Sequence, residues 1–178
     1  GWKPRAASFG KALLMPESLA ALGDIANGLT TEVWWMASHP FKSALLNGET
    51  CPQFAEEYTK RTGNQWTQPL LHFVIFEMAV DVLKRTANVD DKQAIMTAVK
   101  TMKVETIGGL IDFSAPVEPP GPPWTPGPRH VHENVYKTPQ VGGQWRKGTK
   151  WPYELVCVSN AACPDSGIPV QDKVQPLT

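Results

Sequence analysis

The chain has 178 residues, of which 42% are hydrophobic and 19% charged, with 17 Lys+Arg balanced by 17 Asp+Glu. That composition supports a buried core and excludes a wholly disordered chain, while zero formal net charge leaves no basic footprint for nucleic acid or an anionic membrane surface. The longest apolar stretch, Leu70 to Leu83, is broken by His72, Glu77 and Asp81 and falls short of the ~20 apolar residues of a membrane span, so the chain reads as soluble with no membrane insertion.

Residues 5 to 9 read as a strand end. Pro16-Glu17-Ser18 then opens a helix with Leu19, Leu22, Ile25 and Ala26 on one face, expected to end at Gly28. Leu29 to Met36, rich in β-branched and aromatic residues, predicts a strand that stops at His39-Pro40. Thr50-x-x-Gln53 is a capping-box signature with Pro52 in the first turn; Phe54, Ala55 and Tyr58 form an apolar stripe, and Gly63 is the natural stop. From Thr67 to Arg85 a long helix is predicted, mostly buried. Its polar face carries Glu77, Asp81, Lys84 and Arg85, and its apolar face Ile75, Phe76, Ala79 and Leu83. Asp90-x-x-Gln93 starts a third helix with the stripe Ala94, Ile95, Ala98, Val99 and Met102.

Beyond Lys103 the pattern changes. Thr106 to Phe113 reads as a glycine-centred bend into a strand, and Pro116 to Pro128, with seven prolines, as an irregular or polyproline excursion without a core of its own. Asn134 to Val141, Gly142-Gly143 and Trp151 to Val158 read as strands of a ribbon linked through the basic turn Arg146 to Lys150, whose cations read as a solubilising cluster. One early strand, a block of helices and late ribbons do not make a doubly wound sheet. The expectation is an α/β protein whose upstream half is not in this sequence. The start Gly1-Trp2-Lys3-Pro4 carries no signal-like segment.

The sequence offers no nucleophile elbow, P-loop, dinucleotide glycine signature, HExxH or paired catalytic carboxylates, so a non-enzymatic role without cofactor is expected. Cys157 and Cys163 lie close in sequence and are compatible with a short-loop disulfide or with two free thiols; Cys51 stands apart, and no histidine is at zinc spacing. His130-x-His132 with Glu133 is a partial metal pattern without a third ligand of fixed geometry. Exposed loop histidines are the preferred reading, and a metal-dependent hydrolase the disfavoured one.

The ordered features Gly28-Leu-Thr-Thr-Glu-Val-Trp-Trp35, His39-Pro40-Phe41, Tyr58-x4-Gly63, Phe76-Glu-Met-Ala-Val-Asp-Val-Leu83, Thr106-x-Gly108-x3-Asp112-Phe113 and Gly142-Gly-Gln-Trp-Arg146 span nearly the whole chain. In that order they resemble the C-terminal half of the type I periplasmic solute-binding proteins of ABC transporters, the branched-chain amino-acid-binding group. The resemblance implies a partial two-lobed α/β fold, with residues 1–33 as the end of the second lobe, 34–159 as the returning part of the first lobe carrying the Pro-rich insert 116–128, and 160–178 as a final crossover segment. It implies a periplasmic protein that captures an amino acid or small aromatic acid by hinge closure and delivers it to an ABC transporter permease. A ligand-sensing regulator domain of the same fold, for amides or amino acids, is the alternative. The Pro-rich insert is longer than in simple members of that group.

Candidate ligand-binding residues follow from both lines. His72, near the start of the long helix and on its predicted buried face, reads either as a hydrogen-bonded core histidine or as a ligand-facing one; the resemblance favours the second, since residues there face the cleft in similar proteins. Gln68, Leu70 and Leu71 would share that wall. Phe9, Gly10 and Lys11 follow the first strand, where open α/β sheets form their crevice, against readings of Phe9 as a core ring and Lys11 as a solvated surface lysine. Trp34 and Trp35, adjacent in an extended segment, point to opposite sides; one is expected in the core, and Trp34 to face the solute. The expectation is that His72→Ala weakens solute binding more than it lowers stability, and that the isolated chain binds its solute weakly or not at all.

Overall fold

The computed structural model describes residues 4–115 and 135–177. The Pro-rich insert and the His130/His132/Glu133 pattern lie outside the described residues. In chain order the elements are β1 (Ser8–Phe9), α1 (Pro16–Leu22), β2 (Thr30–Val33), β3 (Lys42–Ser43), β4 (Glu49–Thr50), α2 (Cys51–Thr62), α3 (Val74–Arg85), α4 (Lys92–Lys100), β5 (Lys103–Thr106), β6 (Gly109–Asp112), β7 (Val141–Lys147) and β8 (Tyr153–Ser159), with short 3-10 turns between some of them. None of the described helices is long and apolar enough to cross a membrane. The chain divides into two compact units. The first comprises Gly1–Pro40, Glu49–His72 and Pro139–Thr178, the second Phe41–Gly48 and Phe73–Thr138.

The first unit is built on a four-stranded sheet of order β1-β2-β7-β8, in which β1 runs parallel to β2 and the other pairs are antiparallel. Exposure alternates along β2: Thr31 and Val33 are buried, and Thr30 and Glu32 half-buried, as a sheet with one packed face requires. The predicted basic turn begins two residues later than Arg146, after Lys147, and the Gly142-Gly-Gln-Trp-Arg146 run lies within β7. Each residue in it has a reason. A Cβ on Gly143 would lie 2.4 Å from Val33 Cγ2 and 2.8 Å from Leu155 Cδ1, so only glycine lets β2 and β8 close around this position. Fully buried Gln144 donates from Nε2 to Gly28 O (2.9 Å) and Gln175 O (2.7 Å). Its Oε1 accepts from the Gln175 N–H (3.0 Å), pinning the C-terminal segment. Trp145, fully buried, donates from Nε1 to Leu13 O at 3.0 Å. Arg146 leaves the predicted charge cluster to pair with Asp172 (2.6 Å).

The early helix is shorter than expected. α1 stops at Gly23 (φ +60), and a 3-10 turn Gly23–Ala26 leads on to Gly28 (φ +89), which opens the approach to β2 rather than closing a helix. Leu22 and Ile25 are exposed while Leu19 and Ala26 are core, so the predicted stripe is only half used. Residues 135–140 form no strand. α2 matches its sequence signature closely: Thr50 and Gln53 form the capping box, and Gly63 at φ +73 supplies the left-handed stop. Cys157 and Cys163 are free thiols, the first buried. Burial also holds the His39 imidazole down, at about 4, so it is neutral in the core.

In the second unit α3 and α4 pack with the β5–β6 hairpin around Val82, Ala98, Met102, Ile107 and Ile111. α4 is capped by Asp91, whose carboxylate accepts from the Gln93 N–H at 2.8 Å, one residue later than the sequence suggests. The predicted helix over 67–85 is two elements, a 3-10 turn Gln68–Phe73 and then α3. α3 turns the opposite face inward: Glu77 is 1% exposed, while Ile75, Phe76 and Leu83 are 62%, 65% and 53% exposed. Glu77 Oε2 accepts the Ile107 N–H (3.2 Å) at the turn between β5 and β6, 30 residues along the chain, which draws this face inward. Burial raises the Glu77 carboxyl above its ordinary value, partly offset by the Ser43 hydroxyl and the Ile107 N–H.

Candidate functional site

Five of the residues singled out in the sequence converge in the first unit, at the carboxyl ends of the parallel pair β1 and β2. Gly10 follows β1 and Lys11 opens the 3-10 turn after it. The Thr31 hydroxyl donates to Gly10 O at 3.4 Å, which ties that turn to β2. Trp34, the residue after β2, is half-buried, and the Lys11 ammonium sits 5.7 Å from its ring centroid, within the range of a cation–π contact. The His72 ring meets Trp34 edge-on, with centroids 6.5 Å apart and planes at 85°.

Gln68 holds this arrangement from beneath. Fully buried, it accepts the Trp34 N–H on Oε1 at 2.8 Å and donates from Nε2 to Glu32 O at 3.2 Å. Its amide thus repairs the backbone of the segment where β2 has lost its ladder partner, which is what a buried N–H and C=O require. Gln68 positions Trp34 rather than presenting free polar atoms. Phe9 is exposed at the end of β1, and Leu70 and Leu71 are half-buried in the same 3-10 turn as His72.

Two readings of single residues change. His72 is exposed and its Nδ1 lies 2.9 Å from Pro69 O, so it is not a core histidine. Position 72 belongs to the same predicted face as Phe76, Ala79 and Leu83, and that whole face is exposed, because α3 turns its opposite face inward. Trp34 and Trp35 do point apart. Trp35 is the core ring, fully buried and edge-on to Phe54 (6.1 Å) and Trp66 (5.7 Å).

Glu32 belongs to the cluster although the sequence reading passed over it: its carboxylate lies against Gly10, where an added Cβ would come 3.3 Å from Oε1. The signal was present, since Glu32 and Trp34 are two apart in an extended segment and share a face. The cluster thus combines a cation, a carboxylate, an imidazole and an indole. The Trp34 Nε1–H is buried and has no hydrogen-bond partner among the described residues, so it is a donor in want of an acceptor. Among the described residues no group of three or more His, Cys, Asp or Glu could hold a metal ion.

No protein-family model and no curated sequence matches the chain. A solved structure does: the leucine-, isoleucine-, valine-, threonine- and alanine-binding protein from Brucella ovis in its closed conformation, at 19% sequence identity and a TM-score of 0.54. The alignment covers 90% of this chain and 38% of that one, so this chain spans well under half of that protein's length. The chain has a mixed α/β architecture that matches part of the type I periplasmic binding-protein fold.

Proposed function

We propose that this chain is part of an extracytoplasmic solute-binding protein that captures an amino acid or a small aromatic acid for an ABC transporter permease. The observation that carries the reading is the Lys11–Trp34–His72 cluster at the carboxyl ends of β1 and β2, in a fold similar to that of an amino-acid-binding protein. The Trp34 Nε1–H and the Lys11 ammonium suit a carboxylate, the Trp34 ring an apolar or aromatic side group, and Glu32 the ammonium of an amino acid. Capture works by population shift: a solute that touches both lobes of a two-lobed protein favours the closed form, and one that touches a single lobe equally in both states shifts nothing. The bare apolar stripe Ile75, Phe76 and Leu83 on α3 supports the reading that further chain completes the fold.

Calorimetric titration of the 178-residue chain with leucine, phenylalanine and benzoate, and with their neutral amides, tests this. The expected result is weak, carboxylate-dependent binding that falls about tenfold in Trp34→Phe, which keeps a ring but removes the N–H, and similarly in Lys11→Met and His72→Ala, with thermal stability nearly unchanged. Equal binding of the amides, or folded variants with unaltered affinity, would overturn the assignment of the cluster. Tight binding by this chain alone would overturn its partial nature.

A further inference from the structure

Because Trp34 and Trp35 face opposite ways, the first unit has a second aromatic surface on the Trp35 side. There a cleft of about 350 Å3 opens between α2 and the β7–β8 hairpin, and none of its lining residues belongs to the Lys11–His72 cluster. That volume suits a small organic ligand. One wall is Trp66, half-buried and fixed edge-on by Trp35 at 5.7 Å. The buried Gln65 beside it is locked by a 2.9 Å bond from Nε2 to Tyr153 O. Trp151, half-buried at the hairpin tip, lines the cleft too. Glu56 on α2 and Glu154 on β8 bring two carboxylates, against one cation, Lys150. Glu154 is held in place: its Oε1 accepts the Lys150 backbone N–H at 3.2 Å, and its side chain packs over Gly148, where a Cβ would come 2.5 Å from Glu154 Cγ.

Indole faces carry negative quadrupole density, and the carboxylates add to it. An anion entering this cleft meets two carboxylates, and a neutral apolar ligand must strip them of water without replacing that solvation. A cation meets neither penalty. The Lys150 ammonium already lies 6.0 Å over the Trp151 ring, so the indole face serves as a seat for a positive charge.

We propose that this cleft is a second binding site, for a small alkylammonium ion, with Trp66 and Trp151 as its walls, Glu56 and Glu154 as its counter-charges, and Lys150 as an internal occupant that the ligand displaces. The site is independent of the solute reading of the Lys11–His72 cluster and stands if that reading fails.

The test is calorimetric titration of the 178-residue chain with choline and with its neutral isostere 3,3-dimethylbutan-1-ol. Choline should bind about tenfold more tightly than the isostere. Trp151→Leu and Glu56→Gln should each weaken choline binding by about three- to tenfold. Lys150→Ala should strengthen it by removing both a competitor and a like charge. Glu56 is exposed on α2, so its variant keeps the test valid if Trp151→Leu fails to fold. Equal affinity for the isostere, no binding of choline, or weaker choline binding in Lys150→Ala would each overturn the proposal.

Discussion

Helices α2 and α3 are both twelve residues long, and both are amphipathic by sequence, yet only α2 buries the face its periodicity selects. In α2, Cys51 and Ala55 are core and half-buried Phe54 stacks edge-on against Trp35, within a unit whose sheet and C-terminal segment are also provided by this chain. In α3 the inward face is set instead by Glu77 and its bond to the Ile107 N–H, and the richer apolar stripe faces out. The difference teaches that a 3.6-residue period identifies a helix and its two faces, while the face that is buried depends on what the same chain offers opposite it. A helix can satisfy its strongest local polar demand and still leave apolar area without a partner.

The sharpest way to break this comparison is at Glu77. Glu77→Ala removes the acceptor for a buried N–H, and should be less stable than Glu77→Gln, which keeps an acceptor oxygen, by about 1–3 kcal/mol in urea unfolding. The two variants also separate hydrogen bonding from charge. Because burial raises the Glu77 carboxyl in the folded state, its contribution is fully present below the ordinary glutamate value near 4.5 and is lost as pH rises through the raised folded value. The wild-type chain should therefore lose stability between mildly acidic and neutral buffer by an increment that Glu77→Gln lacks. Identical pH profiles for the two would mean that Glu77 does not titrate from a buried state.

A smaller effect is expected in α2. Thr50→Ala removes the side chain that caps the N3 backbone, and should cost about 1 kcal/mol. Gly63→Ala places a Cβ at φ +73 where space is open, so its cost is backbone strain alone, also about 1 kcal/mol. If both leave the unfolding midpoint unchanged, α2 is held by its packing against Trp35 and not by its ends, and the contrast with α3 loses its local basis.

What was legible in the sequence follows the same division. Caps and stops are short-range chemistry, so Thr50, Gln53 and Gly63 were readable, as was the opposed pointing of Trp34 and Trp35, which is a property of extended backbone. The meeting of Lys11, Trp34 and His72 was anticipated only as a set of residues near one crevice. What the sequence hid were events decided by distant partners. Gln68 spends its amide on a strand 34 to 36 residues away. Gly143 sits in a strand where Val33 and Leu155 leave no room for a side chain. The 3-10 turn before α3 has no local signature beyond Pro69, and His72 is exposed together with the rest of the predicted core face, which α3 turns outward.

The smallest expected change carries the comparison furthest. Ile75→Gln and Leu83→Gln replace apolar side chains that are 62% and 53% exposed, and on a bare helix face such changes stay within about 0.5 kcal/mol. Burying either side chain would instead contribute roughly 1.5–3 kcal/mol. Urea unfolding of the two variants in the 178-residue chain therefore measures directly whether the stripe has a partner. Near-neutral stability together with improved solubility is the outcome expected of an uncovered face. A loss of about 2 kcal/mol from either variant would mean that α3 buries both its faces, that the stripe behaves as core after all, and that its orientation was set by the apolar pattern and not by Glu77.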